Sequence, residues 1–178
     1  MVMGAHYVLT ASIHNNVISE WNWIEALIAS VPIAILVMLI VWINQFQDAP
    51  SDAAVGKNTW VVRTAEQGEW MKLEKPMKLY KQFMIEAFVA VAFVGAISFF
   101  TDYGTVYAFM ALLPLALVWK AFKMADEWMI KWNNPDADRQ KVPYELLLVN
   151  VSTIGIHFLT GILPVSYTHL RAHETCVH

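Results

Sequence analysis

The pattern of apolar and polar positions divides the chain into long uncharged runs separated by charged connectors. Ala26 to Gln47 carries no charged residue, and its centre, Ile33 to Ile43, is apolar on every side. A helix needs about 20 such residues to cross a bilayer core. Pro32, near its start, is tolerable in a packed membrane helix. Three more runs follow. Tyr80 to Phe100 is apolar apart from Lys81, Gln82 and Glu86; Tyr103 to Trp119 contains Pro114; Leu146 to Leu163 contains Ser152, Thr153, Gly155, Thr160 and Gly161. Small and weakly polar residues of that kind favour close helix packing inside a membrane. The pattern predicts an all-α, polytopic bundle with spans at about residues 24–46, 80–100, 103–122 and 145–163. The run before Thr10 is expected to be the end of a further span, and no strand-type alternation competes with the helical reading.

Composition agrees. The 178 residues are 57% hydrophobic and 15% charged, with a mean hydropathy of +0.44. Ordinary soluble domains run nearer 45–50% apolar and about 25% charged, and a disordered chain would be poorer still in apolar residues. The net charge of −3 argues against a nucleic-acid partner, which calls for a basic footprint. The single cysteine excludes an internal disulfide.

The segment from Val165 to Thr175 resembles the translation of a sequencing-library adapter. Residues 165–178 are therefore expected to be a non-native tail, with residues 1–164 as the membrane domain. Setting the tail aside removes Cys176 and three of the six histidines, including the metal-like His169/His173 pair.

The basic residues gather in two connectors. Gln47 to Lys78 holds Lys57, Arg63, Lys72, Lys75 and Lys78, while Lys120 to Lys141 holds Lys120, Lys123, Lys131, Arg139 and Lys141. The short Thr101–Gly104 turn holds none. Basic loops stay cytoplasmic, so both connectors are expected inside and the short turn outside.

The first connector also carries candidate chemistry. Asp48 and Asp52 are four apart, so a helix would place both carboxylates on one face at the membrane surface. Two carboxylates that close call for a cation between them. Mg²⁺ suits them, because it takes hard oxygen ligands, commonly one or two carboxylates plus phosphate oxygens. Lys57, Thr59 and Arg63 follow and suit phosphate oxygens, lysine as a point charge and arginine as a planar fork. Gly56 would let the backbone turn tightly. The plainer alternative is an aspartate pair that caps a helix or lies in a solvated loop, and Pro50 between the two warns of a broken helix.

The spacing Asn44-x3-Asp48-x3-Asp52-x3-Gly56-Lys57-x-Thr59-x-Val-Val-Arg63 resembles the second aspartate-rich motif of the UbiA superfamily of intramembrane prenyltransferases. The upstream stretches Met3–Thr10 and Ser30–Val37 are also similar to the way those proteins lead into the motif-bearing helix. The resemblance implies a nine-helix fold around a cavity, with these four spans as helices six to nine and residues 1–10 as the tail of helix five. It implies Mg²⁺-dependent transfer of a prenyl group from a polyprenyl diphosphate to an aromatic acceptor in a bacterial or archaeal cell membrane. Gly56-Lys57-Asn58-Thr59 looks most like the branch that prenylates 1,4-dihydroxy-2-naphthoate for menaquinone, with another quinone or lipid acceptor as the alternative. By the resemblance Asp48 and Asp52 bind metal, and Lys57, Arg63 and Asn44 contact diphosphate. The family's first motif, Asn-Asp-x2-Asp-x3-Asp, is nowhere in the chain, so the chain is expected to be a C-terminal half, inactive without its N-terminal helices. Outside that family, a transporter subunit using Asp48/Asp52 as an ion site remains open, although coupling sites more often lie at the bilayer midplane.

Other residues carry smaller expectations. His157, inside the fourth span, should be a neutral imidazole hydrogen-bonded between helices. Glu86 should either snorkel or pair with Lys81 or Lys78, and Asp126 and Glu127 should pair with Lys123 and Lys131 along one helix. Trp21, Trp23, Trp119, Trp128 and Trp132 should form an aromatic belt at the span ends. The stretch from Gln67 to Pro76 suits either a short amphipathic cap or a surface linker.

Overall fold

The computed structural model describes the backbone of residues 12–14, 17–19, 23–65, 69, 71–101 and 106–175, with side chains at 24 and from 27 to 164 within those stretches. The readings of residues 1–10, of the turn around 102–105 and of Trp21 lie outside the described residues.

Four helices long and apolar enough to cross a membrane make up the bundle, at Leu27–Ala54, Glu74–Ile97, Val106–Trp132 and Val142–Pro164. Helix α1 runs Trp23–Ala54, the short α2 Trp60–Thr64, α3 Glu74–Ile97, α4 Leu115–Trp132 and α5 Leu147–Thr175. A 3₁₀ segment, Val106–Leu112, leads into α4, and a second, Val142–Leu146, leads into α5. The bundle is all-α, as expected; ahead of it a short hairpin pairs β1 (Ser12–His14) antiparallel with β2 (Val17–Ser19), Ile13 opposite Ile18. Strands of three residues are too short to register as alternation in the sequence.

The helices outrun the spans expected from hydropathy. α1 passes through Pro50 to Ala54, although the missing N–H of Pro50 leaves the carbonyl four residues back without its usual donor. Pro114 acts the other way. It stands at the N-cap of α4 and divides the third span into a 3₁₀ and an α portion. The charged residues from Lys120 to Lys131 belong to α4 itself, so the true second connector is only 133–141.

The core settles which side of each apolar helix turns inward. On α1 the buried residues are Leu36, Leu39, Ile43, Phe46 and Ala49, whereas Val31, Val37 and Val41 are exposed. Those inward positions recur every three or four residues, one stripe of a 3.6-residue helix. α3 turns in Met77, Tyr80, Met84 and Ala87; α4 turns in Val118, Ala121, Ala125, Trp128 and Trp132. α5 contributes Val149, Thr153 and Ile156. The Tyr80 and Thr153 hydroxyls lie 2.7 Å apart, Thr153 Oγ1 donates to the Val149 carbonyl, and the Asn150 amide donates to Asn44 across the α1–α5 contact. Gly155 and Gly161 do not serve as packing contacts: a Cβ added at either would meet nothing within 4 Å.

Both connectors lie at one end of the bundle. The Trp132 indole at the end of α4 donates to the Met71 carbonyl in the first connector, 2.8 Å away. Trp128 Nε1 donates to Val142 O at 2.7 Å, and Trp42 Nε1 to Pro76 O at 3.3 Å. Trp128 and Trp132 are therefore core residues, stacked at 5.3 Å between ring centroids, and not part of a belt. Their N–H groups find partners because the chain folds back over them. Trp119 is exposed, as a belt residue would be.

Candidate functional site

Because α1 continues through Pro50, Asp48 and Asp52 stand one turn apart on one helix face. Their environments differ. Asp48 is exposed, and its carboxylate forms no ion pair among the described residues. Asp52 is 7% exposed. Its Oδ1 accepts from Lys57 Nζ at 2.9 Å, while its Oδ2 is buried without a hydrogen-bond partner.

The turn after α1 produces this arrangement. Gly56 adopts a φ of 71°, the left-handed conformation that ends many helices. Lys57 N–H donates to the Asp52 carbonyl at 2.8 Å and Gly56 N–H to the Ala53 carbonyl at 3.1 Å. These two bonds form a Schellman cap. They bring Lys57 back over the end of α1, where its ammonium meets the Asp52 side chain.

Thr59 precedes α2. Its Oγ1 is buried and has no partner, although the residue stands at the N-cap position. One of the two α2 amides that such a cap could satisfy is taken by another residue: Gln45 Oε1 on α1 accepts from Val61 N–H at 3.2 Å. Buried Val61 and Val62 seat α2 on the bundle, while Trp60 and Arg63 face outward. Arg63 lines a cleft with Trp60 and Thr64, so the described contacts bring Lys57 to Asp52 but not Arg63. Asn44 is bound to Asn150, and the Asn150 Oδ1 is left buried without a partner.

The donor set can be weighed against Mg²⁺. Asp52 Oδ2, the Thr59 hydroxyl and the exposed Asp48 carboxylate are hard oxygen donors without protein partners among the described residues, the first two of them buried orphan atoms. Buried polar atoms left in that state cost stability unless something else satisfies them. No group of three or more His, Cys, Asp or Glu side chains that could hold a metal occurs among the described residues. Two carboxylates fit Mg²⁺ held partly by phosphate oxygens and water, as that ion is commonly bound. They do not make an all-protein cage.

Several expected pairings fall differently. Asp126 binds Lys81 on α3, and Lys131 binds Glu145 at 2.5 Å; both are links between elements where pairs along α4 were expected. Glu86 accepts from Gln82 at 2.8 Å instead of from a lysine. His157 Nδ1 is buried with no partner, contrary to the expected interhelical hydrogen bond. Sequence reasoning passed over Gln45, Trp60 and Asn150. Gln45 and Asn150 had a signal, being amides next to or within an apolar run. Trp60 had none beyond its place in the motif.

No family model, curated protein or solved structure matches the chain.

Proposed function

We propose that the connector end of this bundle is the diphosphate end of an intramembrane prenyltransferase site. One observation carries the reading: Asp52, nearly buried, has one oxygen on Lys57 and one unpartnered, a single turn from the exposed Asp48. In this reading Asp48 and Asp52 would hold Mg²⁺, whose charge would offset that of a bound polyprenyl diphosphate. Lys57 fixes the Asp52 carboxylate and supplies positive charge beside it. As the diphosphate leaves, these groups stabilise the developing negative charge. The bond from the prenyl carbon to the diphosphate oxygen breaks, and that carbon bonds to a ring carbon of an electron-rich aromatic acceptor, with 1,4-dihydroxy-2-naphthoate the favoured case; the ring carbon gives up its substituent as a proton or as carbon dioxide, in an apolar setting that keeps water away. The basic residues of the connectors support a cytoplasmic position for this end. Two carboxylates are half of such a metal site, so the chain is expected to bind substrate without turning it over.

The test is binding of an unreactive prenyl thiodiphosphate to the chain in lipid nanodiscs, with and without Mg²⁺. Mg²⁺-dependent binding that disappears in Asp48→Ala supports the reading. Binding that is independent of Mg²⁺, or unchanged in Asp48→Ala, sinks it. Mg²⁺-dependent turnover by the chain alone would overturn the half-site.

A further inference from the structure

The second connector and the end of α1 enclose a cleft of about 590 Å³ that the candidate site does not use. Gln47 and Ser51 of α1 stand on one side of it, and Arg139, Lys141 and Tyr144 on the other. Neither Asp48 nor Asp52 lines it. At about 100° per residue, Gln47 and Ser51 lie roughly a quarter turn around α1 from the two aspartates. The cleft is therefore a separate feature of the connector end.

Its charge is positive. The lining holds two cations and no carboxylate. Lys141 shares part of its charge with Asp138 at 3.3 Å, and its side chain is 84% exposed. Arg139 makes no ion pair among the described residues. Its guanidinium lies 4.5 Å from the centre of the Trp132 ring and donates to the Trp132 and Asn134 carbonyls. Those contacts fix the planar fork and leave its other N–H groups for an anion. Such a fork matches the oxygens of a phosphate.

The surface that continues from the cleft selects the anion. Leu148, Val151, Ile154 and Phe158 are all exposed and succeed one another at steps of three or four, one stripe along α5. Tyr144, 73% exposed, stands at the cleft four residues before Leu148. From Leu148 to Phe158 the stripe is about 15 Å long, half of a bilayer core of about 30 Å. Tyrosine suits the level where headgroups meet acyl chains. A phosphate that carries acyl chains matches both the cations and the stripe, whereas a free phosphate matches the cations alone. Basic pockets at the ends of membrane helices attract anionic headgroups.

We infer that this cleft binds the phosphate of an anionic phospholipid, whose acyl chains lie along the Leu148–Phe158 stripe of α5. Arg139 and Lys141 hold the phosphate oxygens, and Tyr144 marks the headgroup level. A bound lipid links the end of α1 to the second connector. Phosphatidylcholine carries the same phosphate, but its cationic choline meets two cations and binds less well. The inference does not depend on the proposed function.

The experiment uses the full chain purified in an uncharged detergent. Native mass spectrometry counts what the chain retains from phosphatidylglycerol, from phosphatidylcholine with the same acyl chains, and from inorganic phosphate. One phosphatidylglycerol per chain is expected, preferred about tenfold over phosphatidylcholine. Arg139→Gln should weaken its binding about tenfold and Lys141→Gln about fivefold. Lys75→Gln, at an exposed lysine of the same end but outside the cleft, should leave it within about twofold. Lys141 is exposed, so its variant decides the matter even if Arg139→Gln loosens Trp132. Equal retention of the two lipids overturns the inference. So does an unchanged affinity in Lys141→Gln, or an equal loss in Lys75→Gln, which marks diffuse attraction to basic connectors. Inorganic phosphate that binds as tightly as phosphatidylglycerol assigns the cleft to a free anion and also overturns it. Displacement of the lipid by Mg²⁺ and prenyl thiodiphosphate would put it at the aspartate pair, with the same consequence. Failure in any of these ways leaves the proposed function standing, because its own test reads Mg²⁺-dependent binding through Asp48.

Discussion

The two ends of the bundle are built by different physics. At the connector end three buried indoles each donate to a carbonyl of a neighbouring segment, and Lys57–Asp52, Lys81–Asp126 and Lys131–Glu145 tie elements together. The far end depends on contact between small side chains. There Val94 and Gly95 of α3 approach Ala108 and Phe109 of the 3₁₀ segment, and a cavity of about 230 Å³ remains, lined in part by Pro32, Thr160 and Pro164. Thr160 Oγ1 has no partner there. Directional bonds define positions to fractions of an ångström, as a site for a metal and a diphosphate requires. Packing of small apolar groups holds helices together but leaves voids and orphan atoms. The candidate chemistry lies at the end with directional bonds.

Substitutions at the two ends should separate accordingly. The largest contrast is in ligand binding: Asp52→Ala is expected to abolish Mg²⁺-dependent binding of a prenyl thiodiphosphate, while Thr160→Val leaves it unchanged. Equal loss in both would show that the ends are not functionally distinct. Next in size, Trp132→Ala should destabilise the bundle by about 3–5 kcal/mol, because a fully buried indole and its bond to Met71 are lost together. Thermal unfolding in detergent measures this, and a shift no larger than that of an exposed tryptophan such as Trp119→Ala would contradict it. Gly56→Ala is expected to cost about 1–2 kcal/mol, because a Cβ is strained at a φ of 71° even with open space around it. It should also weaken Mg²⁺-dependent binding, since that turn presents Lys57 to Asp52. At the far end the sign reverses: Thr160→Val should stabilise by about 1 kcal/mol by removing an unsatisfied hydroxyl.

The smallest effect is one of pH. Asp138, in the second connector, has its carboxyl held below the usual range by the Gln140 amide and then by Lys141. A folded-state pKa below the unfolded one stabilises the connector at pH above the unfolded value of 3.8, and that stabilisation disappears as pH falls through the lowered folded value. Asp138→Asn should therefore flatten a slight acid-side slope in unfolding temperature. An unchanged slope would place the acid sensitivity elsewhere.

Much of the fold was legible in the sequence because a bilayer demands long uncharged runs. Four such runs mark four spans, but the first helix runs on through Pro50 to Ala54 and the third span, divided at Pro114, runs on to Trp132. The candidate site was legible at Asp48, Asp52, Gly56 and Lys57, whose helical spacing and turn chemistry are local. Partners across the bundle were not. Asp126 had Lys123 and Lys131 nearby in sequence, yet binds Lys81, 45 residues away. Trp128 and Trp132 resembled interfacial anchors because their burial depends on a connector that returns over them.

Local patterns thus determined the spans, the all-α class and the shared face of the two aspartates, because hydropathy and the 3.6-residue repeat act within a single segment. Only tertiary structure decided which face of the uniformly apolar α1 turns inward. It alone placed Lys57 on Asp52 while leaving Asp48 open, and set the Trp60 ring against Trp42. These choices depend on how helices pack side by side, where a side chain's energy is set by neighbours distant in the chain.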